Sequence, residues 1–335
     1  MKKYLFFRTD RIGDFLVSIL LINTIKKNNP KSHFTIVCSN KNYKYIKDFK
    51  FIDKIILYPE INILKKINFF TKLLWKNYYC SIVFDSKNRS IFAAILTKSK
   101  RKILITNKKK HKIILKFMFD KVYLDANYSS KIDILKNTAK YLAIKLKNSE
   151  MNAFIYRKIK NPFKLKIKSI LNKKFILFNF DEKWIHKKYI QDFINIEPNY
   201  DNFINLIKRL IKKSNKNLIV TNGYISNDIT NKIKKEFHPF DKGIYLKKYN
   251  HKKIILFDRI NFFSLEYLIS KTDLLITCHG AASHVAASLN KKIIDIVEFA
   301  KINFYKKWTK HYKKHTFIRR MKFSILAISI LKKIK

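Results

Sequence analysis

The chain has 335 residues, 47% of them hydrophobic, which is enough material for two domain cores. Its formal charge of +50 would ordinarily point to nucleic acid, but only nine of the 73 basic residues are Arg and the excess runs along the whole chain. Lys, Asn and Ile in such abundance are the imprint of an AT-rich genome, so what survives is a preference for an anionic partner surface, with no nucleic acid expected. Cys38, Cys80 and Cys278 stand far apart, neither a disulfide framework nor a zinc pattern, and fit a reducing cytosol. Arg8, Asp10 and Arg11 cut short the apolar start, and no uninterrupted apolar run is long enough to span a membrane; a soluble or peripheral cytoplasmic protein is expected.

Taken in order, the first half alternates strand and helix. Tyr4 to Phe7 reads as a strand, Arg8 to Asp14 as a turn, and Phe15 to Lys27 as a helix ending before Pro30. Strands follow at His33 to Cys38, Ile52 to Tyr58, Tyr79 to Phe84 and Lys102 to Ile105, with helical patterns at Ile61 to Trp75, Ser90 to Leu96 and Ile132 to Lys147. Such alternation implies a parallel sheet covered on both faces, with ligands beyond the carboxyl ends of the strands.

The Arg8–Asp14 turn lies at such an end. It has one glycine, Gly13, and no GxGxxG, so a dinucleotide fingerprint is absent. It offers instead a carboxylate, Asp14, in the first turn of a helix beside Arg8 and Arg11. An ionised carboxylate there could take a proton from a sugar hydroxyl; Asp10 or Asp14 could equally serve as the helix cap.

A domain boundary is expected near residues 148–162, dividing the chain into 1–155 and 156–335. The second half repeats the alternation: strands at Lys174 to Asn179, Leu218 to Thr221, Ile254 to Phe257, Asp273 to Thr277 and Ile293 to Val297, and helices at Asn202 to Lys213, Asn227 to Phe237 and Leu265 to Ile269, the last capped by Ser264. The final helix, Phe323 to Lys335, is apolar and basic and could pack on the core or lie on an anionic membrane.

The most informative stretch is Thr277 to Leu289, TCHGAASHVAASL. A buried strand breaks at small residues into a helical pattern from Val285, which leaves the first helical N–H groups free for an anion such as phosphate. Ser283 could cap that helix, and His279 and His284 flank the turn. His186, His238, His251, His311 and His315 follow no metal-ligand spacing.

Read together, the halves resemble glycosyltransferase family 9, the lipopolysaccharide heptosyltransferases. The likeness lies in Arg8-Thr-Asp-Arg-Ile-Gly-Asp14, in Tyr79 to Asp85 followed by Asn88-Arg89-Ser90, in Asp181-Glu-Lys183-Trp184, in Thr221-Asn222-Gly223, and in Ala282-Ser-His284-Val-Ala-Ala-Ser-Leu289. It implies an α/β chain of GT-B type, two facing Rossmann-like domains with parallel sheets, the N-terminal one for the acceptor and the C-terminal one for a nucleotide-diphosphate sugar such as ADP-heptose. It also implies inverting transfer onto a lipid-linked glycan acceptor at the inner membrane, with no metal and no cofactor beyond the co-substrate. By the same resemblance Asp14 is the base. Lys183, Thr221, Asn222, Gly223, His279, Gly280, Ala281, Ala282, Ser283 and His284 face the donor, and Arg8, Arg11, Asp85 and Arg89 the acceptor. One departure stands out: Cys278-His279 occupies a place where the family commonly has an acid, which leaves an inactive member as an alternative beside a basic nucleic-acid-binding protein.

Overall fold

This computed structural model describes residues 1–60, 62–144, 159–185, 198–225 and 227–334. The chain divides into two compact units, Met1–Arg157 with Lys307–His311, and Lys158–Lys306 with Tyr312–Lys335. The expected boundary at 155/156 lies outside the described residues, as does the end of the helix expected from Ile132 to Lys147.

In the first unit the elements are β1 (Lys3–Phe7), α1 (Ile12–Asn28), β2 (His33–Cys38), α2 (Asn40–Ile46), β3 (Lys54–Leu57), α3 (Ile63–Leu74), β4 (Asn77–Tyr78), β5 (Cys80–Val83), α4 (Asn88–Leu96), β6 (Lys98–Ser99), β7 (Lys102–Thr106), α5 (Lys109–Ile114), β8 (Lys121–Leu124) and α6 (Lys131–Tyr141). Six strands form a parallel sheet in the order β3-β2-β1-β5-β7-β8, and β4 and β6 make a small parallel pair. The central strands are short continuous apolar runs because helices cover both faces; in β1 only Lys3 is exposed. α1 is buried from Phe15 through Ile25. It begins at Ile12, three residues before its expected start, so Asp14 sits inside its first turn. α2 and β8 were not anticipated.

Residues of the last part of the chain complete this unit. Asp125 takes Lys131 at 2.8 Å and Lys307 at 3.3 Å, and the Lys131 ammonium lies 4.5 Å from the centre of the Trp308 ring.

The second unit holds α7 (Leu165–Leu171), β9 (Phe175–Asn179), α8 (Tyr200–Ser214), β10 (Asn217–Thr221), α9 (Asp228–Glu236), β11 (His238–Asp241), β12 (Ile244–Tyr249), β13 (Lys252–Phe257), α10 (Phe262–Lys271), β14 (Leu274–Cys278), α11 (Ala281–Ser288), β15 (Lys292–Val297), the start of α12 (Ile302–Thr309), whose end from Lys307 belongs to the first unit, β16 (His315–Arg319) and α13 (Phe323–Lys332). Its sheet runs β11-β12-β13-β10-β9-β14-β15-β16. It departs from a wholly parallel sheet, because β11 and β12 add an antiparallel hairpin at one edge. Gly243 makes that turn at φ +69°, a conformation glycine adopts without strain.

Several helices start upstream of expectation. Asn261, not Ser264, caps α10 by accepting from the Ser264 N–H. α11 begins at Ala281 rather than Val285, with Gly280 at the cap position and Ser283 already inside the first turn. α13 buries Phe323, Leu326, Ala327, Ile330 and Leu331 in the core of the second unit. Among the described residues no helix is long and apolar enough to cross a membrane.

Candidate functional site

Two clusters lie beyond carboxyl ends of strands, one in each unit. In the first, the chain leaving β1 is folded back by Arg8. Its Nε and Nη2 donate to the Asp14 carbonyl at 3.0 and 2.7 Å, and its Nη1 to the Phe84 carbonyl at 2.8 Å. Asp85 accepts from the Thr9 N–H at 2.8 Å and the Thr9 hydroxyl at 3.0 Å. Lys87 and Arg89 close on the same residue, the former at 2.8 Å from the Thr9 carbonyl and the latter at 3.2 Å from its hydroxyl. Arg8 and Asp85 are buried, so they build the turn with their polar atoms turned into it. Arg11 is exposed.

Two carboxylates in this turn differ in surroundings. Asp14 is half-buried, and its Oδ2 accepts a long 3.4 Å bond from the Arg11 N–H, the side-chain half of a capping box. It thus both caps α1 and keeps carboxylate oxygen toward the turn. Asp10 lies 3.4 Å from Arg8, with Oδ1 buried and unpartnered. Burial pushes its carboxyl up to about 6; Arg8 pulls the other way, while Asp85 and Asp14 add to the rise.

The second cluster gathers around α11. Asn179 at the end of β9 ties the sheet across: its amide donates to the Thr277 hydroxyl at 3.0 Å and its oxygen accepts from Thr221 at 3.0 Å. The next residues form a short turn capped by Asp181, whose Oδ1 accepts from the Lys183 N–H at 3.1 Å. Trp184, packed on Phe178 and Phe180, donates to the Asn179 carbonyl at 2.9 Å and anchors that turn. Lys183 is thereby aimed at the loop before α11. Its ammonium donates to the His279 carbonyl at 3.1 Å, sits 3.4 Å from Asp181, and lies against the α-carbon of Gly280. Burial works against its charge, but Asp181, with Cys278 and Glu182, outweighs that and raises its pKa. Arg320 supports the turn from behind, donating to the Lys183 carbonyl and, at 3.0 Å, to the Cys278 sulfur.

The amides of Ala281 and Ala282 open α11 and have no acceptor within the helix. With the helix dipole and Lys183 they gather positive potential complementary to an anion such as phosphate. Beneath it lies Asp295, fully buried on β15. It accepts from His279 Nδ1 and His315 Nε2, each at 2.8 Å, and from the Ser283 hydroxyl at 2.5 Å. Burial would raise its carboxyl, yet the two imidazoles reverse that and hold it well below the usual range. Tyr312 meets His284 Nδ1 at 2.5 Å.

The structure therefore sorts the expected donor residues. Lys183, Gly280, Ala281 and Ala282 come together at one place. Gly223 stands close to Glu182: a Cβ there would lie 3.0 Å from the tip of the Glu182 carboxylate, which would have to shift slightly. Thr221, Asn222, Ser283 and His284 are buried, with their side chains bonded within the protein; Asn222, for example, joins Asp258 at 2.7 Å and Thr230 at 3.2 Å. His279 is held by Asp295 through one ring nitrogen. Asp295, His315, Asp181 and Arg320 were not anticipated. The acid within the apolar strand Ile293–Val297 was the one available signal, since a buried carboxylate needs partners. Among the described residues no group of three His, Cys, Asp or Glu side chains is placed to hold a metal ion.

No protein-family model and no curated protein sequence matches the chain. Solved structures do match over its whole length. A glycosyl transferase family 9 protein from Veillonella parvula superposes with a TM-score of 0.69 at 14% identity, covering 100% of this chain and 90% of that one. The fold is that of the family 9 glycosyltransferases. An E. coli heptosyltransferase solved with ADP-2-deoxy-2-fluoro heptose gives 0.65 at 11% identity, covering 99% of each chain. The GT-B architecture extends to UDP-N-acetylglucosamine 2-epimerases: a putative one from Listeria monocytogenes gives 0.58 at 12% identity, over 99% of this chain and 89% of that one.

Proposed function

We propose that the chain is an inverting, metal-independent glycosyltransferase acting at the inner face of the plasma membrane. It moves a heptose or similar sugar from a nucleotide diphosphate, with ADP-heptose the first candidate, to a lipopolysaccharide core or related lipid-linked glycan. The observation that carries this reading is the Lys183 ammonium over Gly280 at the opening of α11, within a fold shared end to end with family 9 structures.

The chemistry follows from the two clusters. Asp14 takes the proton of the acceptor hydroxyl as its oxygen attacks the anomeric carbon on the face opposite the diphosphate. The bond from that carbon to the phosphate oxygen breaks, and the electrons pass to the leaving diphosphate. Lys183 and the Ala281 and Ala282 amides meet the charge that develops there, which is the part of the barrier such preorganised donors lower most. Arg11 and Arg89 contribute positive charge near the turn that receives an anionic acceptor.

The test is a screen of nucleotide sugars for thermal stabilisation. A ligand of the folded chain at 100 times its Kd adds about 2.7 kcal/mol, and an ADP-linked sugar should do so while free sugars do not. A chain stabilised by none of the donors but bound tightly by duplex DNA or RNA would overturn the reading. A donor that binds but is never turned over on any glycan would assign the chain to an inactive branch.

A further inference from the structure

The first unit carries an apolar surface that the proposed reaction does not use. α3 buries Phe69 and Leu73 on one side and shows Leu64, Ile67 and Trp75 on another; Leu64 is 72% exposed and Trp75 80%. Large apolar side chains scattered singly need no explanation, but these continue onto neighbouring helices. Phe70 meets Phe92 of α4 ring to ring at 5.2 Å, and Phe92 is itself half exposed. α4 in turn lines a shared groove with Ile114 of α5, and Phe117, just beyond α5, is 85% exposed. Three adjacent helices thus present one continuous apolar face.

The three helices themselves carry charge of one sign. α3, α4 and α5 contain no Asp or Glu. On the flank of α3 toward the sheet edge, Lys65, Lys72 and Lys76 join Lys54 of β3 around a groove of about 440 Å³ whose floor is Ile55, Leu57, Phe69 and Leu73. Burial lowers the pKa of Lys76, and the nearby Lys54 and Lys72 lower it further. Cations crowded over an apolar floor without a carboxylate are complementary to anionic head groups attached to hydrocarbon. Long Lys stems can lie along apolar surface while their ammoniums reach phosphate.

We propose that the α3–α4–α5 face of the first unit docks on a bilayer containing anionic lipid, with Trp75 and Phe117 entering the interface and the Lys54, Lys65, Lys72 and Lys76 groove taking lipid phosphate. This deepens the membrane location proposed above, and its evidence is independent of the transfer reaction. It assigns the membrane contact to helices other than α13, the one whose composition first suggested it.

The experiment is co-flotation of the whole chain with vesicles of phosphatidylethanolamine alone or mixed with phosphatidylglycerol. Binding should need the anionic lipid and weaken with salt. Because the whole chain is basic, charge alone must be separated from this face. Trp75→Ser with Phe117→Ser leaves the charge unchanged and should cut partitioning at least tenfold. Lys72→Gln with Lys76→Gln should cut it roughly 10- to 30-fold, at about fivefold per lysine near the surface. Lys232→Gln with Lys235→Gln on α9 removes the same charge elsewhere and should change it less than threefold. Quenching of Trp75 emission by brominated lipid reads insertion directly. Equal losses in the α3 and α9 variants, or no effect of the apolar pair, would overturn the proposal. So would a chain that self-associates in solution and becomes monomeric in the apolar variant, since the face would then bind a second copy. None of these readouts involves donor binding or turnover, so failure of the transfer reaction would leave them unaffected.

Discussion

The ammonium of Lys183 occupies the space in which a side chain on Gly280 would begin. The backbone of Gly280 is extended, at φ 173°, so glycine is required there by the neighbour and not by the dihedral. Gly280→Ala should therefore fold almost normally, because the displaced atom is the end of a flexible chain. It should push the ammonium off the anion site and weaken donor binding roughly 5- to 30-fold, the worth of a charge-assisted contact partly lost. Lys183→Ala should cost on the order of 1.5–3 kcal/mol of donor affinity. Titration calorimetry with the stabilising nucleotide sugar measures both. Unchanged affinity in the two variants, with unchanged melting, would put the diphosphate elsewhere.

Asp14→Asn separates the base from the cap. Asn keeps an oxygen for the Arg11 N–H, so folding and donor binding should hold, while turnover falls roughly 100- to 10,000-fold through loss of the proton acceptor. Asp10→Asn shares the turn and serves as control. Normal turnover in the first variant and loss in the second would reverse the assignment.

Asp10 makes its own prediction. Its carboxyl is raised from 3.8 to about 6, so the folded chain binds its proton more tightly than the unfolded chain does. At pH 7 the ionised form is therefore a cost, and Asp10→Asn should stabilise the chain by about 1–2 kcal/mol after allowance for its partial exposure. The gain should shrink as pH falls through 6 and vanish below about 4. Urea titrations at several pH values give the comparison. A variant less stable than the parent at pH 7 would mean that the Arg8 contact outweighs burial.

Asp295 shifts the opposite way. Its folded carboxyl is depressed by His279 and His315, so its stabilisation is present above the ordinary value of 3.8 and is lost as pH falls below that. Asp295→Ala should cost roughly 3–5 kcal/mol at neutral pH, since it strands buried polar partners, and should release the His279 ring. Melting temperatures across pH 3–7 should show a flatter acid limb in the variant. Equal acid sensitivity in both chains would remove Asp295 as the source.

The alternation of apolar runs made the parallel strands of the two sheets readable, because strands covered on both faces leave little else for a run of Phe, Leu and Ile to be. The β11–β12 hairpin escaped: apart from the buried Ile244 its residues are polar or at least partly exposed, and an edge strand needs no apolar run. Lys183 and Gly280 were legible as separate signals, but their contact spans 97 positions of sequence and only folding shows it. Thr221 and Asn222 illustrate the reverse. A polar strand end reads as a ligand site, yet here it is filled by Asn179 and Asp258. His315 carried no motif at all, and its place in the Asp295 cluster comes from pairing of β15 with β16.

Lys307 and Trp308 belong with Asp125 and Lys131, although the chain between them runs through every strand of the second sheet but β16. A ribosome adds roughly 5–20 residues per second, so on the order of ten seconds or more separate the emergence of Asp125 from that of its later partner. During that interval the nascent first unit carries Asp125 with one of its two lysines and an uncovered seat for an indole. A gene cut after residue 157 would make the condition permanent, and fragments or fusions meant to retain the first unit intact must therefore carry residues 307–311 as well.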